Sequence, residues 1–138
     1  MKILVAEYAV ARNIRSLMPE GRAILSTLVE SFKRAGHDVL YPGRLRNFGG
    51  WLEKNASGAD AGLVIAPDNL LADFAEILEE KTANLGCSPE CTKLCADKLR
   101  TTRVLERHGI PAPKIISKGG GGKYVIKPRF GCGSRGVE

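Results

Sequence analysis

Nowhere in this 138-residue chain do apolar residues run on for the roughly 18 to 20 positions that a membrane-spanning helix needs. The opening Met1-Lys2-Ile3-Leu4-Val5-Ala6 meets Glu7 before the apolar region of a signal peptide is built. Together these absences predict a cytoplasmic protein with no membrane partner. Cysteine is missing from the first 86 residues, and the four thiols stand at 87, 91, 95 and 132. Such a layout is poor for a disulfide framework and ordinary for reduced thiols. Aromatic residues make up only 6% of the chain, and beyond residue 90 they are Tyr124 and Phe130 alone. Single strands of nucleic acid stack on aromatic rings, so this scarcity counts against nucleic acid as a partner. The two histidines, His37 after Gly36 and His108 before Gly109, have no triad partners in view. There are no internal repeats.

What is present suits a folded domain. Hydrophobic residues reach 43% and charged residues 26%, close to the globular average and incompatible with disorder of the whole chain. The length fits one domain, or one small domain with part of a second, at roughly 100 to 200 residues per domain. The net charge of +6 is unevenly placed. Residues 1–90 hold ten Lys and Arg against twelve Asp and Glu, net −2, and residues 91–138 hold eleven against three, net +8. A basic segment beside a near-neutral one binds polyanions, the phosphates of a nucleotide among them.

Hydrophobic periodicity orders the first part. Residues 2–7 form a short aliphatic run that reads as a buried strand. Over residues 20–35, Ala23, Ile24, Leu28 and Phe32 recur at helical spacing and Gly36 follows as a stop. Residues 38–41 and 61–66 read as further strands, ended by Pro42-Gly43 and Pro67-Asp68, with a helix over 70–81. A short helix is predicted around residues 51–54, at the only tryptophan, Trp51. Strands alternating with helices imply a parallel, Rossmann-like α/β sheet whose binding groups gather beyond the carboxyl ends of the strands. Glu7, Tyr8 and Asp68 occupy those ends and are the candidate substrate residues. Polar residues also end buried strands for solvation alone, and that alternative stays open.

The character changes after residue 86. Ser88-Pro89-Glu90 is a helix start, with a capping hydroxyl, proline at the first position and an acid at the positive end of the dipole. That helix runs to about residue 96 and a second spans 97–108. Residues 114–117 and 123–127 are then strand-like runs joined by a glycine tract, most simply a hairpin. The expected division is therefore an α/β domain over 1–86 and a second, α+β unit over 87–138.

Gly131-Cys132-Gly133-Ser134-Arg135-Gly136 matches G-x-G-x-x-G, a weak signal without context. A dinucleotide fingerprint needs a βαβ unit that opens on it. A kinase loop has its lysine downstream, whereas Lys127 lies upstream. A Walker A motif is excluded because Gly122-Lys123 leads to Tyr124. What remains is a lysine ahead of a loop of small residues whose N–H groups approach an anion closely. Lys127 offers a point charge, Ser134 a hydroxyl and Arg135 a guanidinium. A terminal turn whose glycines merely supply positive φ is the competing reading. Cys87, Cys91 and Cys95 lie four apart, a spacing that suits small buried hydrophobes better than a zinc or iron-sulfur site built on C-x2-C pairs.

Asp97-Lys98 at a helix start, His108-Gly109-Ile110-Pro111-Ala112-Pro113, and Tyr124-Val125-Ile126-Lys127-Pro128 with its glycine loop resemble the entry to an ATP-grasp domain. Residues 1–86 resemble the α/β domain that precedes it. The likeness extends to archaeal ligases of that superfamily that join a carboxylate to an amine, the tyramine–glutamate ligases among them. It implies an enzyme that forms a C–N bond through an acyl phosphate, with ATP and Mg2+ as cofactors and small carboxylate and amine substrates. It also implies that Lys98, Lys127, Gly131, Gly133, Ser134, Arg135 and Gly136 meet the ATP phosphates. Metal ligands, usually carboxylates and an amide, are expected beyond Glu138, in an enzyme of roughly twice this length. On that reading the 138 residues alone are inactive, and a homodimer is a further expectation. The rival class is a non-catalytic nucleic-acid or anion-binding module that uses the basic third.

Overall fold

The structure, a computed structural model, describes residues 1–116, 122–131 and 136–138. Among the described residues ten elements follow in order: β1 (Lys2–Glu7), α1 (Tyr8–Ala11), α2 (Met18–Arg34), β2 (Asp38–Leu40), α3 (Phe48–Ala56), β3 (Ala61–Ile65), α4 (Asp68–Lys81), β4 (Ala83–Asn84), α5 (Pro89–Ala96) and α6 (Lys98–Arg107). The strands form one parallel sheet in the order β2-β1-β3-β4.

β1 is the centre because both of its faces are apolar. Ile3 and Val5 point to one side and join Val29, Val39 and Ala61, with Leu25, Leu28 and Phe32 of α2 packed on them. Leu4 and Ala6 point to the other and join Phe48 and Leu52 of α3, Val64, and Ala75 and Leu78 of α4. The molecule therefore has three layers: α2, the sheet, and α3 with α4. α2 stops where the sequence says it should. Gly36 takes φ +84, and the His37 amide closes on the Phe32 carbonyl at 3.0 Å, a left-handed cap that favours glycine. α4 lies so close to β3 that a Cβ on Gly62 would sit 2.8 Å from Leu78 Cδ2.

The chain reverses its direction across the sheet at β1, with β2 on one side and β3 on the other. The crevice above the carboxyl ends of β1 and β3 is thus the topological switch point. Glu7 faces Ile65 in the register there. α1 and β4 were not expected from the sequence, because four- and two-residue elements carry too little periodicity to read.

α5 packs on α4 and α6 on α5. α6 ends at Gly109, φ +68, where the Ile110 amide reaches the Leu105 carbonyl at 2.9 Å. The expected hairpin is not present as two strands: residues 114–116 and 122–128 have no strand pairing with each other. Ile126 instead exchanges two backbone hydrogen bonds with Glu138, at 2.7 and 3.0 Å. Residues 117–121, which include most of the glycine tract, lie outside the described residues. No described helix is long and apolar enough to cross a membrane.

Leu78 is fully buried and stands between the sheet and α4. Leu78→Ala should lower the unfolding free energy by about 2–5 kcal/mol through lost contacts and a residual cavity. A urea denaturation curve checks this; a fall in the midpoint with an unchanged slope is the expected result.

Candidate functional site

Asp97 is the hinge on which the C-terminal third is organised. It ends α5 and caps α6, where Oδ1 accepts from the Arg100 amide at 3.1 Å. The same carboxylate receives both arms of the Arg129 guanidinium, Nε to Oδ1 at 2.9 Å and Nη2 to Oδ2 at 2.5 Å. Asp97 is only 6% exposed. The hydrogen bond from Arg129, with the Arg100 amide and the guanidinium charge, holds the Asp97 carboxyl down from 3.8 to about 2, against the opposing effect of desolvation.

Lys98, the next residue, is fastened to the same segment twice. Its amide donates to the Arg129 carbonyl at 3.0 Å, and its ammonium donates to the Gly131 carbonyl. The start of α6 therefore lies against residues 129–131, where the glycine loop opens. Gly131 takes φ +104 and Gly136 φ +70. A Cβ on Gly136 would press on Pro128 Cγ at 3.1 Å. Gly133, Ser134 and Arg135 lie outside the described residues. Lys127 is exposed and makes no hydrogen bond or ion pair among the described residues. Lys98 is thus brought to the mouth of the loop, four positions beyond Lys127.

The strand ends are used differently. Glu7 is 4% exposed and caps α1: Oε1 accepts from the Ala9 amide at 3.1 Å and Oε2 from the Val10 amide at 2.5 Å. Gly21 leaves it the space, because a Cβ there would stand 2.5 Å from Oε2. Glu7, Ala9 and Gly21, with Ile65, Ala66 and Pro67, line a small cavity of about 120 Å³ at the switch point. The Tyr8 ring packs at 5.2 Å from Phe48 and 5.7 Å from Phe74. Asp68, the first residue of α4, borders a larger groove of about 300 Å³ between α4, the end of β4 and α5. Val64 and Ala75 make its floor, and Cys91, Cys95 and Ala96 its far wall. Neither Lys98 nor Lys127 lines either groove.

The cysteines are not the buried hydrophobes that their spacing suggests. Cys87, Cys91 and Cys95 are all exposed; Cys87 precedes α5, and Cys91 and Cys95 lie outward because α5 turns Pro89 and Thr92 inward instead. Sγ of Cys91 and Sγ of Cys95 lie 4.0 Å apart. Among the described residues no cluster of three or more His, Cys, Asp and Glu stands ready to hold a metal ion. A magnesium ion needs several hard oxygen ligands, and the acid nearest Lys98, Asp97, is already filled by Arg129 and the Arg100 amide. The described residues do not fit the ion.

A family profile for the ATP-grasp domain matches residues 95–138, the stretch built around Asp97, Lys98 and the loop. Among solved structures, that of an Archaeoglobus fulgidus protein provisionally assigned to the ATP-grasp superfamily superposes with a TM-score of 0.79 at 26% identity, over 96% of this chain. The fold is that of the ATP-grasp superfamily. This chain covers 48% of that solved chain, about half its length. No curated protein sequence matches it. Within the ATP-grasp fold, the Asp97–Arg129 pair is the feature that sequence reading missed. Asp97 is legible as a cap, but nothing in the pattern marks a partner 32 positions away.

Two measurements check this geometry. The Asp97 carboxyl is depressed from 3.8 to about 2, so the ion pair contributes in full above the ordinary carboxylate range and is lost as pH falls toward 2. An NMR titration of its carboxyl carbon should give a midpoint near 2; one near 4 would show the pair absent in solution. Iodoacetamide should alkylate Cys87, Cys91 and Cys95 in the native chain nearly as fast as in urea, as their exposure requires.

Proposed function

We propose that this chain supplies the phosphate-holding end of an ATP-dependent ligase that joins a carboxylate to an amine. In that reaction a carboxylate oxygen attacks the γ-phosphorus of ATP and ADP leaves. The amine nitrogen then attacks the acyl phosphate carbon, phosphate departs, and the nitrogen gives up a proton as the amide forms. Lys98 and Lys127 meet the ATP phosphates, with Gly131, Gly133, Ser134, Arg135 and Gly136 as the loop that approaches them. The contribution is electrostatic: the net +8 of residues 91–138 offsets the charge of a triphosphate, most strongly where water is excluded.

The observation that carries this reading is the double attachment of Lys98, by amide and by ammonium, to residues 129–131. It sets a cation at the entrance of the glycine loop, on a residue four positions along the chain from Lys127. The division at residue 86 belongs to the same proposal, with residues 1–86 as the α/β domain that precedes the ATP-grasp unit and lends its strand ends to the organic substrates. Of the strand-end residues, Asp68 borders the larger groove and Glu7 lines the smaller cavity, whereas the Tyr8 ring packs on Phe48 and Phe74. Mg2+ ligands would come from residues other than those described, and a cytoplasmic setting would provide the nucleotide.

Calorimetric titration with ATP tests the assignment. Lys98→Ala and Lys127→Ala should each weaken ATP binding about tenfold or more, on the order of 1.4 kcal/mol for a lost charge-assisted contact, with an unchanged circular dichroism spectrum. Retained affinity in both variants would overturn it. Oligonucleotide binding tighter than ATP binding at physiological salt would favour a nucleic-acid module.

A further inference from the structure

We infer that the Asp97–Arg129 pair is the positioning device of the phosphate site, a clamp that holds the Lys127-to-Gly131 segment against the start of α6. The inference rests on the proposed reading of Lys98 and Lys127 as phosphate contacts and adds two residues to it. Its first support is what else holds the segment, which is very little. Tyr124, Val125, Ile126 and Phe130 are all exposed, so no apolar core fastens residues 124–130. Among the described residues, its hydrogen bonds other than the Ile126–Glu138 exchange converge on two adjacent residues, Asp97 and Lys98.

The second support is the geometry of the fork. Nε and Nη2 of Arg129 both face the Asp97 carboxylate. That planar, two-bonded arrangement fixes direction as well as distance, which a lysine in the same place would not. It leaves Arg129 engaged and therefore unsuited to bind phosphate through the same edge. The third support is the difference between the two Lys98 bonds. The amide bond to the Arg129 carbonyl uses main-chain atoms and is unaffected when the side chain moves. The ammonium bond to the Gly131 carbonyl is exchangeable, and an incoming phosphate oxygen, fully charged, outcompetes a carbonyl. The clamp thus keeps the Lys98 backbone and the loop entrance in register while the ammonium changes partner.

The test measures binding of ATP and of inorganic tripolyphosphate by calorimetry in Asp97→Asn, Arg129→Gln, Arg129→Lys and the double variant Asp97→Asn/Arg129→Gln. Asparagine caps a helix as well as aspartate, so Asp97→Asn removes the charge pair and leaves α6 its start. A positioning role predicts about a tenfold weaker affinity for both ligands in Asp97→Asn and in Arg129→Gln. The double variant should be no weaker than the worse single one, because the residues act as a unit. Arg129→Lys should fall between, since it keeps charge and loses the fork. The Lys98 amide should exchange with solvent faster in each. A merely structural role predicts a lower melting temperature with affinity within twofold of the parent, and that result, or additive losses, overturns the inference. Lys98→Ala in the same series separates the two failures. If it weakens tripolyphosphate binding and the clamp variants do not, the clamp alone falls; if it is neutral, the phosphate reading falls and the clamp with it.

Discussion

A carboxylate drawn out of water must have its lone pairs filled, and that demand joins the last third of this chain to itself. Asp97 meets it with one backbone amide on its own helix and a guanidinium from far along the sequence. One bond starts a helix and the other fixes where the glycine loop begins. Both come from a single side chain, whose ionised form its neighbours favour. Removing Arg129 leaves the Asp97 carboxylate nearly buried without its main partner, whereas Arg129, more than half exposed, can turn to water when Asp97 is removed.

The parallel sheet was legible because its strands are buried on both faces. Residues 2–7 and 61–66 read as short runs with continuous apolar centres, too brief for a helix and suited to a strand buried on both faces. The helix stops were legible too, since Gly36 and Gly109 mark left-handed caps by their chemistry. Ser88-Pro89 announced α5 in the same way, and the serine hydroxyl does accept from the Cys91 amide at 3.2 Å. These are local signals, and each can be read from a handful of adjacent residues.

What escaped the sequence is what depends on distance or on face. The spacing of Cys91 and Cys95 says that they share a side of a helix, but not which side packs against α4. Pro89 and Thr92 took the inner side and left the thiols at the surface. Residues 123–127 look like a strand, yet a strand needs a partner at the right register, and among the described residues Ile126 pairs with Glu138 alone. Glu7 could be placed at a strand end from the sequence. That its oxygens would turn back to cap α1, in space left by Gly21, depends on a helix too short to foresee.

The central position of β1 bears on how the molecule is made. Its six residues leave the ribosome well before the strand that covers its other edge, β3, which begins only at Ala61. Parallel pairing closes long loops before it is rewarded, so the nascent aliphatic segment must wait in water for its neighbour. A charge stands at each end of that segment, Lys2 and Glu7, and such flanking charges discourage the self-association that an uncovered strand invites. The carboxylate that later caps a helix thus has an earlier use, as a guard on the growing chain.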